Sequence, residues 1–132
     1  MNGVRFGEKH SYDDFGLILS SKDYTPPKPK TEMVNIPGRN GYLDLTEALG
    51  VPVTFENGKW VFTFTLMNSN STWVNVLNDL VNYIHGKKMR IILDEDNGFF
   101  YYGRCSINQY KSSKSLGTIT IECDVDPFKT KI

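Results

Sequence analysis

Residues 116–125 alternate with a period of two: Ile119, Ile121, Cys123 and Val125 fall on one side, and Thr118, Thr120, Glu122 and Asp124 on the other. An extended strand puts every second side chain on one face, so this stretch predicts a half-buried β-strand of defined register. A slip of one residue would turn its apolar set to water. Residues 59–67 repeat the pattern with larger groups, Trp60, Phe62, Phe64 and Leu66 against Val61, Thr63 and Thr65. Their second face is apolar enough to predict partial cover on that side too.

Around these two strands the chain reads as one mixed, mostly β unit of the α+β class. Residues 89–93, 99–109 and 116–125, separated by polar turns at 94–98 and 112–115, predict a three-stranded meander. Residues 4–6 and 17–20 predict short strands, and Pro26, Pro27 and Pro29 an extended connector solvated by Lys28 and Lys30. Residues 32–36 and 42–45 predict a hairpin turned by Pro37-Gly38-Arg39-Asn40-Gly41, and Asn57-Gly58 signals a second reversal, between 53–55 and 59–67. One helix is expected at about 71–85. Ser71 is its candidate N-cap, Trp73, Val76, Leu77, Leu80 and Ile84 form its apolar stripe, and Gly86 stops it. His85 falls in the last turn, where partial positive charge suits the exposed carbonyls.

The 132 residues fit a single domain, 1–132, large enough to fold without disulfides or a structural metal. Cys105 and Cys123 sit in no metal or redox spacing and are expected to be core thiols on neighbouring strands. Fifteen basic side chains balance fifteen acidic ones, so no net field favours specific nucleic-acid binding. No apolar run approaches the roughly 20 residues that span a bilayer, and residues 1–12 lack a signal-peptide stretch, so no membrane insertion is expected and cytoplasmic synthesis follows.

Catalytic chemistry is sparse. His10 and His85 are the two histidines, and neither lies in a nucleophile–base–carboxylate pattern. The run Asp94-Glu95-Asp96-Asn97-Gly98 departs from a calcium loop in its glycine position and lacks the bidentate glutamate, so it reads as a polar turn. Asp94, Asp96, Glu122 and Asp124 could serve sugar hydrolysis only as a facing pair, and surface carboxylates usually just stay wet. No catalytic residue, cofactor or metal is expected. Phe99, Phe100, Tyr101 and Tyr102 place large rings on both faces of one strand, which favours cover on both sides by core, helix or a neighbouring subunit.

In order along the chain, Val4-Arg5-Phe6-Gly7, Asp14-Phe15-Gly16-Leu17, Ile36-Pro37-Gly38-Arg39-Asn40-Gly41, Leu43-Asp44-Leu45-Thr46, the aromatic strand 60–66, the helix end 80–88, Tyr101-Tyr102-Gly103-Arg104, the stretch 116–121 and Asp126-Pro127-Phe128 resemble the N-terminal domain of phage distal tail proteins, the Dit family. The resemblance implies a sandwich-like domain with one helix and a protruding hairpin. It implies a non-enzymatic virion subunit of a siphovirus or prophage tail, six copies of which ring the tail tip between the tail tube protein and the tail-tip or baseplate hub protein. Assembly in the host cytoplasm would follow. Many family members carry a C-terminal domain that this chain does not include. The candidate self-assembly hairpin is Ile36, Pro37, Gly38, Arg39, Asn40, Gly41, Tyr42 and Leu43. The alternative function is a carbohydrate-binding tail-tip module using Tyr101 or Tyr102, with a cell-wall hydrolase as a third reading.

Overall fold

The computed structural model describes residues 3–48, 50, 52–67, 72–112 and 116–132, with the side chains of Met67, Thr72, Trp73 and Ser112 left aside. In chain order it comprises β1 (Val4–Phe6), β2 (Lys9–His10), β3 (Ile18–Thr25), β4 (Met33–Val34), β5 (Leu43–Asp44), β6 (Gly58–Met67), α1 (Thr72–Ile84), β7 (Lys87–Leu93), β8 (Phe99–Ser112), β9 (Leu116–Val125) and β10 (Thr130–Lys131), with a 3-10 turn at Asp94–Asp96. One antiparallel sheet runs in the order β2-β1-β7-β8-β9-β6-β3, β10 joins the start of β8, and β4-β5 stand apart as their own ribbon. The fold is α+β and mostly β, as the patterning predicts.

The layers of this domain come from one sheet that curls. β1 and β6 are four steps apart in strand order, roughly 19 Å in a flat sheet. Yet the rings of Phe6 and Phe62 meet at 5.9 Å between centroids, and those of Phe6 and Phe64 at 6.2 Å. Register shifts at Leu19/Ser21 and Ile107/Gln109 supply local bends of the kind that let a sheet wrap. An ion pair links Lys22 on the edge strand β3 to Glu95 in the 3-10 turn between β7 and β8.

Inside lie the alternate residues named by period: Phe62, Phe64, Ile119, Ile121, Cys123 and Val125, all fully buried, with Trp60 and Leu66 nearly so. Helix α1 lies against β7 and β8 and buries Leu80 and Ile84 completely; full burial of such a side chain stabilises by about 1.5 to 3 kcal/mol. Val76 and Leu77, from the same stripe, are half-buried at its edge. Gly86 ends the helix at φ 78° and donates its N–H to Cys105 O at 2.8 Å. The proposed N-cap Ser71 and the 113–115 part of the last turn lie outside the described residues.

Two expectations are corrected. Asn57-Gly58 does not close a hairpin: residues 53–55 do not pair with β6, which runs between β3 and β9, while Phe55 bridges to Pro29. A Cβ at Gly58 would crowd the Tyr24 hydroxyl at 3.1 Å and the Thr25 carbonyl at 3.3 Å, contacts tight enough that the neighbours would have to shift by a few tenths of an ångström. His85 lies one residue past the helix, not in its last turn, and its backbone N–H donates to Val81 O at 3.1 Å. Its Nδ1 accepts the N–H of Ile107 at 3.0 Å, and the carbonyls at the helix end are taken by Lys87 Nζ on Asn82 O (2.6 Å) and Arg104 Nη1 on Gly86 O (2.7 Å).

Candidate assembly surface

The ribbon is built locally. β4 and β5 pair through Met33↔Asp44 and Val34↔Leu43. At its tip Arg39 N–H returns to Ile36 O at 3.1 Å, with Pro37 and Gly38 between them and Gly38 at φ 80°. Proline then glycine of positive φ is the signature of a type II turn. Gly41 adds a second left-handed residue at φ 75°. The base is clamped by Thr46: its backbone N–H and its hydroxyl both donate to Asp44 Oδ1, at 3.0 and 2.5 Å, and its hydroxyl oxygen accepts the Glu32 N–H at 3.0 Å. The Thr46 hydroxyl, and then its backbone N–H, hold the Asp44 carboxyl below the ordinary carboxylate range.

The structure thus brings all eight candidate residues onto one ribbon. Ile36, Pro37, Gly38, Arg39, Asn40, Gly41 and Tyr42 are exposed and Leu43 is half-buried. Tyr42 is 67% exposed and Met33 51%. Sequence reasoning located this segment because proline and glycine punctuation is local. It did not single out Met33, whose exposure depends on the ribbon standing off the core.

At the ribbon's root, Lys30 N–H donates to Thr54 O at 2.7 Å and Glu56 N–H to Lys28 O at 2.8 Å, so the proline connector is one side of a short two-stranded stem. Beside the stem is a mostly apolar cleft of about 310 Å³ lined by Tyr24, Pro27, Phe55, Tyr101, Pro127, Phe128 and Lys129. Phe128 meets Phe55 edge-on at 5.5 Å and is still 67% exposed. Burial, with Tyr101 close by, pushes the Tyr24 hydroxyl above its usual range and keeps it neutral.

The aromatic run of β8 divides between a face packed on the core and a second face on which Tyr102 stays 39% exposed, so the expected cover of both faces is only partial. Tyr101 packs edge-on against Trp60 at 5.6 Å, on the core side. Lys129 covers Phe99 at 4.5 Å on the Tyr101 side; on the other face Arg90 lies over Phe100 at 4.5 Å and Lys88 over Tyr102 at 4.8 Å. Cover on that face therefore comes from cationic side chains of this chain, which attract the ring quadrupole.

The carboxylates have structural partners and form no facing pair with a free role. Asp94 accepts from Gly3 N–H at 2.9 Å and contacts His10 Nε2 at 2.8 Å; Asp96 holds Lys129 at 2.6 Å; Glu122 holds Lys59 at 3.3 Å. Asp124 sits in register with Arg104 and Lys59. His10 is buried, and its Nδ1 accepts the N–H groups of Tyr12 (3.1 Å) and Asp13 (3.3 Å), so its proton is placed on Nε2, facing Asp94. The neighbouring Ser11 hydroxyl accepts Val4 N–H at 3.1 Å. This is a lock on the β1–β2 hairpin. Among the described residues no group of three His, Cys, Asp or Glu side chains could hold a metal ion.

A curled antiparallel sheet with one helix and a standing ribbon defines a class seen among phage tail proteins. The particular likeness is to the Dit protein of phage SPP1, described as a paradigm of the hub adsorption apparatus in phages infecting Gram-positive bacteria: TM-score 0.73, 12% identity, over 100% of this chain and 53% of that one. This chain therefore has the Dit-like fold and spans about half the length of that protein. Weaker similarities are to the tail of an empty GTA particle (TM-score 0.44, 8% identity, covering 88% of this chain and 83% of that one) and to a hypothetical protein from Staphylococcus aureus (TM-score 0.33, 10% identity, covering 77% and 68%). No family model matches the chain, and no curated protein matches it in sequence.

Proposed function

We propose that this chain is a non-enzymatic structural subunit of a phage tail that self-associates into a closed, six-membered ring joining the tail tube protein to the tail-tip or baseplate hub. It is read as a single domain of a virion tail component, assembled in the host cytoplasm without specific nucleic-acid binding or membrane insertion. The observation that carries the reading is the likeness to SPP1 Dit along the whole chain. The exposed ribbon supports it, because rotational closure needs two different patches on each subunit. No helix among the described residues is long and apolar enough to cross a membrane. A sugar-binding role for Tyr101 or Tyr102 draws no support here, since Tyr101 packs on Trp60 and Lys88 lies over Tyr102.

Light scattering over a wide concentration range, with negative-stain imaging, tests self-association. A ring of six is expected. Replacing Arg39 and Tyr42 together by alanine is expected to weaken it while leaving melting temperature and circular dichroism unchanged, since both side chains are exposed. A chain that stays monomeric alone and outside rings in reconstituted tails would sink the proposal.

A further inference from the structure

We infer that Cys105 and Cys123 are a modification site: a low-molecular-weight disulfide oxidises them to a cystine that staples β8 to β9 inside the sheet. The inference goes beyond the tail-subunit reading and does not depend on self-association. Both side chains are free thiols in this structure. They are the two cysteines of the chain, so a cystine within one molecule has a single possible pairing.

Register sets the distance. The two residues face each other on adjacent antiparallel strands, and such residues stand about 4.5 or 5.5 Å apart at Cα, depending on the type of pair they form. Both values fall within the roughly 4.4 to 6.8 Å that a disulfide spans. Alternation turns both side chains to the buried face, and their sulfurs already touch at 3.2 Å. A bond of about 2.05 Å therefore asks for a closure of only about 1 Å. The pair also lies away from the sheet edges, since Cys105 is in register with Lys87 of β7 and Cys123 with Trp60 of β6. Full burial keeps external thiols out, so the cystine can be reduced only when the sheet opens.

The same burial places the chemistry at moments when β8 and β9 are apart, in folding or in opening. One cysteine thiolate attacks the small disulfide, breaking its S–S bond and expelling one small thiolate. As β9 pairs with β8 the second cysteine attacks the protein sulfur of the mixed disulfide and expels the other. Two cysteine S–H bonds are lost and one S–S bond forms; both protons and the electron pair leave in two small thiols. In a reducing compartment the pair stays a dithiol, and where small disulfides prevail it is linked. The cysteines are 18 residues apart, and closing a loop of that size restricts the unfolded chain enough to favour folding by about a hundredfold. By the same thermodynamic cycle, folding favours the cystine by that factor.

The test unfolds the reduced chain in urea, removes reductant and refolds it in mixtures of oxidised and reduced glutathione, with intact mass measured without reduction after acid quenching. The expected product is a monomer lighter by two hydrogens, free of glutathione, whose peptide map joins the fragments holding Cys105 and Cys123. It should melt several degrees above the dithiol form. The glutathione mixture that half-oxidises the folded chain should be about a hundredfold more reducing than the one that half-oxidises the chain held in urea. Cys123→Ala should form no internal link. A folded chain that stays a dithiol, or that ends with glutathione attached or as linked dimers, would overturn the inference. So would a preference for the cystine no greater in the folded chain than in urea, which would leave two packed core thiols and nothing more.

Discussion

Cys105 and Cys123 sit directly opposite each other on β8 and β9, with sulfurs 3.2 Å apart and both side chains fully buried. The Cys123 S–H donates to Cys105 Sγ; that bond first, and burial second, push the Cys123 thiol far above its ordinary range. A thiol held protonated and dry is a poor nucleophile. Native protein at pH 8 is therefore expected to leave both cysteines unlabelled by a disulfide reagent such as DTNB, whereas in denaturant two thiols per chain should react promptly. Rapid labelling of the folded chain would contradict the packing.

Leu80 and Leu77 share one helical stripe but differ in burial, complete for the first and partial for the second. Leu80→Ala is expected to cost about 2 to 5 kcal/mol in urea unfolding, and Leu77→Ala clearly less. Equal losses would mean that another molecule covers the helix edge.

The His10–Asp94 lock gives a graded series. Asp94→Ala leaves His10 Nε2 and Gly3 N–H without their acceptor, and a buried donor left dry costs about 1 to 3 kcal/mol. Asp94→Asn retains an acceptor oxygen and should cost less. Gly3→Ala should be as damaging as Asp94→Ala, because its Cβ would approach His10 Cε1 and Ser11 Oγ to 2.8 Å. Urea melts that rank these three in another order would remove the lock from the account.

Asp44 makes the ribbon acid-sensitive. Its folded carboxyl titrates below the ordinary carboxylate range because Thr46 donates to it. A depressed pKa adds stability that is present above the unfolded value and lost as pH falls through the folded one. Carboxyl-carbon NMR is expected to show Asp44 titrating below the ordinary carboxylate range, and Thr46→Val should move it upward, toward that range. Ribbon amide signals should broaden with that titration while those of β6 and β9 persist. Titration of Asp44 at the same pH in both proteins would refute the clamp.

The strands 59–67 and 116–125, the helix stripe and the Pro37-Gly38 turn were legible in the sequence, because alternation, helical spacing and turn chemistry depend on neighbours a few residues away. Leu80 and Ile84 could thus be placed on an inner face, and the candidate ribbon found, without coordinates. The curl of the sheet was not legible, for it rests on Phe6 meeting Phe62 across strands far apart in order. Asn57-Gly58 misled for the same reason: local turn propensity yielded to the pairing of β6 with β3 and β9. Gly103 looked like any glycine in a strand. In the fold β8 runs so close to β9 that a Cβ there would fall on the Asp124 carbonyl and within 2.7 Å of Val125 Cα. The cleft likewise joins Tyr24, Phe55, Tyr101 and Phe128 from four separate stretches. Local chemistry determined the elements and their inner faces; which distant side chains meet was decided only by long-range packing, whose contacts leave no periodic mark on the sequence.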